Sequence, residues 1–70
     1  PPPAADLSGL TDDQLALLKV LELQRPIQVD DLIQATGIPA RRVSSALTML
    51  EIDGCVQQHS GKRYTRTVEL

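Results

Sequence analysis

The chain has 70 residues, a mass of 7.6 kDa, a formal net charge of −2 and a pI near 5.1. That length holds one domain at most, and a chain of this size buries only about 60% of the surface its unfolded form exposes. With one tyrosine, no tryptophan and no phenylalanine, the core has to be built from Leu, Ile, Val and Ala, and the acidic balance argues against a strong nucleic-acid binder.

PPPAAD (Pro1 to Asp6) opens the chain. A proline at the first position and this stiff composition read as the end of an interdomain linker in a longer protein. Residues 1–9 are therefore expected to be linker or disordered tail, residues 10–67 the folded domain, and residues 68–70 a short C-terminal tail. The start is polar and proline-rich, so it is not a secretory signal. No apolar run approaches the ~20 residues that cross a bilayer. The single cysteine, Cys55, cannot form an internal disulfide. A reducing, cytoplasmic location with no membrane partner is the expectation.

The first helix begins in LTDDQLALLKVLEL. Thr11 with Gln14 three residues later is a capping box, and Asp12 and Asp13 suit the positive end of the helix dipole. Leu15, Leu17, Leu18, Val20 and Leu21 give one broad apolar face. The helix should fade near Leu23 or Gln24, because Pro26 forbids its continuation. Ile27, Gln28 and Val29 alternate as a very short strand. Asp30 then caps a second helix of about two turns, with Leu32, Ile33 and Ala35 as its inner residues and Gly37 at its left-handed end.

Ile38 precedes Pro39 and is biased to an extended conformation, while Pro39 suits the first turn of a third helix. That helix is expected from about Ala40 to Asp53. Val43, Ala46, Leu47 and Leu50 form its inner stripe, and Gly54 ends it. Cys55–His59 and Lys62–Arg66 read as two strands around Ser60-Gly61. Two helices joined by a short glycine turn make a helix-turn-helix, and the hairpin after them adds a wing. The fold class is thus mostly α with a small β-hairpin: a winged helix-turn-helix of three helices plus a wing.

The charge is uneven along this frame. Residues 1–36 carry two basic and six acidic side chains, a net of −4, whereas residues 37–70 carry five basic and three acidic ones, a net of +2. A polyanion responds to the local field, so the second half is where contacts are sought. On the third helix Arg41, Ser45, Thr48 and Ile52 point away from the inner stripe, with Arg42 and Ser44 at the flanks. In helix-turn-helix proteins the start of this helix enters the major groove. Arginine donates twice to a guanine edge or a phosphate, and hydroxyls reach phosphates. Arg41, Arg42, Ser44, Ser45 and Thr48 on the helix, with Lys62, Arg63 and Arg66 on the wing, are the candidate nucleic-acid-binding residues, and the alternative is that they are ordinary exposed residues. Tyr64 either stacks on an unpaired base or fills a core poor in aromatics. Ile52 with Met49 at its edge is poor for phosphate. Either Ile52 packs under the wing or the N-terminal segment, against Leu10, or the two residues form a protein contact.

Cys55 reads as a structural thiol near the core. One cysteine and one histidine, His59, give no cluster with metal-ligand spacing. No nucleophile-and-base pattern and no glycine-rich phosphate loop is present. Asp12-Asp13 and Asp30-Asp31 read as helix-start acids. No catalytic residue, metal or cofactor is expected, and the chain reads as a non-enzyme.

LTDDQLALLKVL followed by VDDLIQATGIPARRVSSALTMLEIDGCVQQHSGKRYTR resembles the C-terminal winged-helix domain of the DNA-processing protein A (DprA/Smf) family. The likeness runs from about Leu10 to Arg66. Ala35 to Pro39, Ser45 to Gly54 and Gly61 to Tyr64 carry most of it. The resemblance implies a role around incoming single-stranded DNA in natural transformation and recombination, where family members bind DNA and help load the recombinase RecA. It also implies a Rossmann-like core elsewhere in the parent protein as a neighbour, and the Pro-rich start fits a linker to it. Three functions are open at this point: an accessory module with weak non-specific contact to DNA, a protein-protein or interdomain interaction module using Met49 and Ile52, and the DNA-binding domain of a transcription regulator.

Overall fold

A computed structural model of the chain describes residues 9–69. Six elements follow in order: α1 Asp12–Val20, β1 Ile27–Gln28, α2 Val29–Thr36, α3 Ala40–Ile52, β2 Val56–His59 and β3 Arg63–Arg66. The strands form one antiparallel sheet in the order β1-β3-β2. The three helices pack on one another and α3 also packs against β2. The sequence anticipates the hairpin; the structure adds β1 to it, with Ile27 opposite Tyr64 and Gln28 opposite Arg63. The linker expected over residues 1–9 lies outside the described residues except for exposed Gly9.

α1 starts as its sequence dictates. The Thr11 hydroxyl accepts from the Gln14 N–H at 3.2 Å, and the Gln14 carboxamide accepts from the Thr11 N–H at 3.0 Å. This reciprocal pair satisfies two donors that a helix start leaves open. The helix ends at Val20, earlier than the expected Leu23 or Gln24. Leu21 turns extended at φ −67 and ψ 149. The carbonyl of Glu22 accepts from the Arg66 N–H at 2.9 Å, so the chain leaves the helix to run beside β3 well before Pro26. Leu17, Leu18 and Leu21 are buried, whereas Leu15 and Val20 of the expected face are only half-buried.

α2 begins one residue before the expected cap. Gln28 is the N-cap and makes no side-chain capping bond, and Asp30 and Asp31 lie in the first turn. The reason is tertiary: the Val29 N–H, one of the donors left open at the start of the helix, is taken by the Lys62 carbonyl of the wing at 3.1 Å. Leu32 is buried, Ile33 is half-buried, and Ala35 is exposed, which corrects its placement in the core. Gly37 closes the helix at φ 71 with its N–H on the Ile33 carbonyl. The Thr36 hydroxyl donates to the Leu32 carbonyl and accepts from the Ile38 N–H, which fixes the three-residue turn into α3.

α3 buries Val43, Ala46, Leu47 and Leu50, the stripe read from its spacing. Its end is a paired cap: the Gly54 N–H reaches the Glu51 carbonyl at 3.0 Å and the Cys55 N–H reaches Leu50 at 2.8 Å. This geometry requires the left-handed φ of 78 at Gly54. One core joins these residues to Leu17, Leu18, Leu21, Ile27, Leu32, Ile38 and Val56. Val68, beyond the last strand, is also buried.

Candidate nucleic-acid interface

Arg41 and Arg42 sit side by side at the start of α3, and the helix turns them apart. Arg41 is exposed on the outer face; among the described residues its guanidinium has no hydrogen-bond or ion-pair partner. Arg42 faces α1, where it donates from Nε and Nη2 to the two carboxylate oxygens of Asp13 at 2.9 and 2.7 Å. This fork-to-fork geometry is the strong form of an ion pair. The hydrogen bond from Arg42 holds the Asp13 carboxyl below the usual carboxylate range, and the same bond raises the Arg42 pKa. Arg42 therefore presents a neutralised charge.

Ser44, Ser45 and Thr48 are exposed. The Thr48 hydroxyl donates to the Ser44 carbonyl at 2.9 Å, so its proton is not offered to a phosphate. At the wing, Lys62 occupies the loop between β2 and β3 and is exposed. Its φ of 55 is uncommon for a non-glycine residue. Arg63 is exposed and donates from Nε to the Ser60 carbonyl at 2.9 Å, which braces the loop and leaves its terminal nitrogens available. Arg66 is half-buried at the base of the wing, opposite Val56 in register. Its Nε is enclosed without a partner among the described residues. The structure thus separates Arg66 from the exposed cations at the wing tip.

Tyr64 packs against the core and is half-buried. Burial, and then the charge of Glu51, push its phenol up from the ordinary tyrosine range. The core-filling reading of Tyr64 agrees with this half-buried position. Glu51 and Asp53 stand exposed at the C-terminal end of α3. Any phosphate approaching the C-terminal half of this helix meets negative charge.

Ile52 corrects the expectation that it packs under the wing or against Leu10. It is 72% exposed, and Met49, one turn before it, is 49% exposed. Leu10 instead joins the edge of the main core. Met49, with Ser45, Arg41 and Arg42, lines an open groove of about 580 Å³ between the start of α1 and α3. Sequence reasoning missed both this groove and the role of Asp13, because a pair 29 residues apart leaves no local signal.

Cys55 packs at the core edge, and burial followed by the nearby Asp53 raises its thiol pKa. His59 Nε2 pairs with the Thr65 hydroxyl at 2.8 Å. Among the described residues no three His, Cys, Asp or Glu side chains gather around a point, and no helix is long and apolar enough to cross a membrane.

Three helices, a three-residue turn between the second and third, and a wing on the third define a winged helix-turn-helix domain. A family model described as the DprA winged helix domain matches residues 1–62, and the chain belongs to that family. No curated protein and no solved structure matches it.

Proposed function

We propose that this winged helix is an accessory module of a protein that handles incoming single-stranded DNA during natural transformation and helps load RecA in the cytoplasm. Its own contribution is weak, sequence-tolerant contact with the DNA backbone, made while it is tethered to the Rossmann-like core of the parent protein. The observation that carries this reading is the placement of the exposed cations. Arg41 stands at the start of α3, and Lys62 and Arg63 stand at the tip and first strand residue of the wing. These are the two elements a winged helix presents to nucleic acid. Arg42 is bound to Asp13 and Arg66 is half-buried, which leaves about three phosphate contacts.

That count supplies a test. Three contacts give a log–log salt slope of about −2.7 on duplex and about −2.1 on single strands. Fluorescence anisotropy of labelled oligonucleotides over a range of salt reads both. Arg41→Ala should reduce the slope by roughly one contact and weaken binding about five- to tenfold near 0.1 M salt, uniformly across sequences. A loss concentrated on one sequence would favour a transcription regulator instead. A slope near zero, or no response to Arg41→Ala, would reject the DNA reading.

A further inference from the structure

The Asp13–Arg42 fork removes one cation from phosphate contact, yet it leaves a fixed plane at the surface. We propose that the groove between the start of α1 and α3 takes one unpaired base of single-stranded DNA, stacked on the Arg42 guanidinium, with the adjoining phosphate on Arg41. This inference rests on the DNA reading above and adds the base as a second element of recognition.

Three observations meet at the groove. The first is the plane. Arg42 donates to Asp13 from Nε and Nη2, along one edge of the guanidinium. Such bonds lie in the plane of the group and leave its two faces out of the pairing. The Arg42 side chain is 61% exposed and lines the groove. A free surface arginine loses rotamer freedom when it holds a ligand, whereas the fork has already fixed this one. Guanidinium planes are surfaces on which unpaired bases stack.

The second is the rest of the lining. Pro39, Ala46 and Met49 give it apolar surface, which suits a base and offers nothing to a phosphate. The volume of about 580 Å³ lies in the range of sites that enclose small ligands.

The third is charge. Asp13 and Arg42 cancel each other, so this wall accepts a neutral base. Arg41 lines the same groove and has no hydrogen-bond or ion-pair partner among the described residues. Every base arrives with a phosphate, and Arg41 is the cation placed to receive it. Glu51 and Asp53 do not line the groove. Glu51 follows Arg41 by ten residues, about 15 Å along the helix axis, which is beyond the reach of an exposed charge at physiological salt.

A duplex does not satisfy this site, because its bases are stacked and paired and extruding one opposes binding. The groove therefore favours single strands, a preference that phosphate contacts by Arg41, Lys62 and Arg63 do not supply.

The test uses the 70-residue chain and two labelled strands of about 12 nucleotides, within the span such modules cover. One is oligothymidine. The other has the same length and charge and carries abasic sugars. Fluorescence anisotropy should show the base-bearing strand binding about fivefold tighter or more, with the same salt slope. Arg42→Lys keeps the charge and removes the plane, and it should erase that difference. The Met49 methyl resonance should move under the ring current of the base-bearing strand and stay in place with the abasic one. Equal affinities with a normal salt slope would overturn the base site and leave the phosphate contacts standing. A slope near zero on both strands would reject the DNA reading and this inference with it. A difference that survives Arg42→Lys would place the base elsewhere. Movement of Met49 with chain concentration alone would give the groove to a second copy, and either result overturns the proposal.

Discussion

Arg41 and Arg42 carry the same side chain on consecutive positions, and about 100° of helical rotation gives them different work. Arg42 swings toward α1 and meets Asp13, an acid present there because it suits a helix start. Arg41 swings to solvent. Asp13→Asn should therefore release Arg42: DNA affinity should rise, and the duplex salt slope should steepen by about 0.9. The same pair sets an acid response. A carboxyl held below its unfolded value of ~3.9 contributes stability that is complete above that value and is lost as pH falls through its depressed folded value. Chemical denaturation at pH 7 and at progressively lower pH should show Asp13→Asn lacking this portion of the acid loss. The Thr11–Gln14 box was legible from four residues of sequence, because both partners are local. The Asp13–Arg42 fork was not, because nothing within a helical turn of either residue announces the other.

At the scale of elements, α3 was the most legible part. Val43, Ala46, Leu47 and Leu50 recur at helical spacing, and all four are buried. Removing one of the large members should cost far more than altering the outer face. Leu50→Ala is expected to lower unfolding free energy by about 2–5 kcal/mol, while Ile52→Ala should stay within about 0.5 kcal/mol. Thr11→Ala should cost about 0.5–2 kcal/mol through loss of the cap. Urea unfolding of the three variants checks this ordering, and a large loss at Ile52 would mean that it packs after all. The element ends were less legible where a distant strand decides them. α1 stops at Val20 because Glu22 bonds β3, and α2 starts at Val29 because Lys62 supplies its first acceptor. Ala35 looked like core by spacing, yet it is exposed near the C-terminal end of α2. Each of these depends on where the sheet lies, which local propensity does not encode.

At the scale of the whole molecule, the domain is acidic overall, with a basic imbalance over residues 37–70. The structure trims that imbalance further. Asp13 from the acidic half neutralises Arg42, Arg66 is half-buried with its Nε enclosed, and Glu51 and Asp53 add negative charge at the end of α3. What remains is a sparse set of exposed cations, Arg41 at the start of α3 beside a groove and Lys62 and Arg63 on the wing. Net charge and the winged-helix order were readable from sequence, and so was the tension posed by Ile52. Its resolution needed the packing, because exposure of one isoleucine depends on every element around it. A module with so few contacts would act through tethering, where the effective concentration of nearby DNA or protein compensates for weak intrinsic affinity.

The most direct test of this division is a backbone-amide titration of the 70-residue chain with single-stranded and double-stranded DNA at low and moderate salt. The account predicts shifts at Ala40–Ser45 and at Gly61–Arg63 that fade as salt rises, with Ile52 unmoved. Absence of shifts with either DNA at low salt, or shifts centred on Met49 and Ile52, would contradict it.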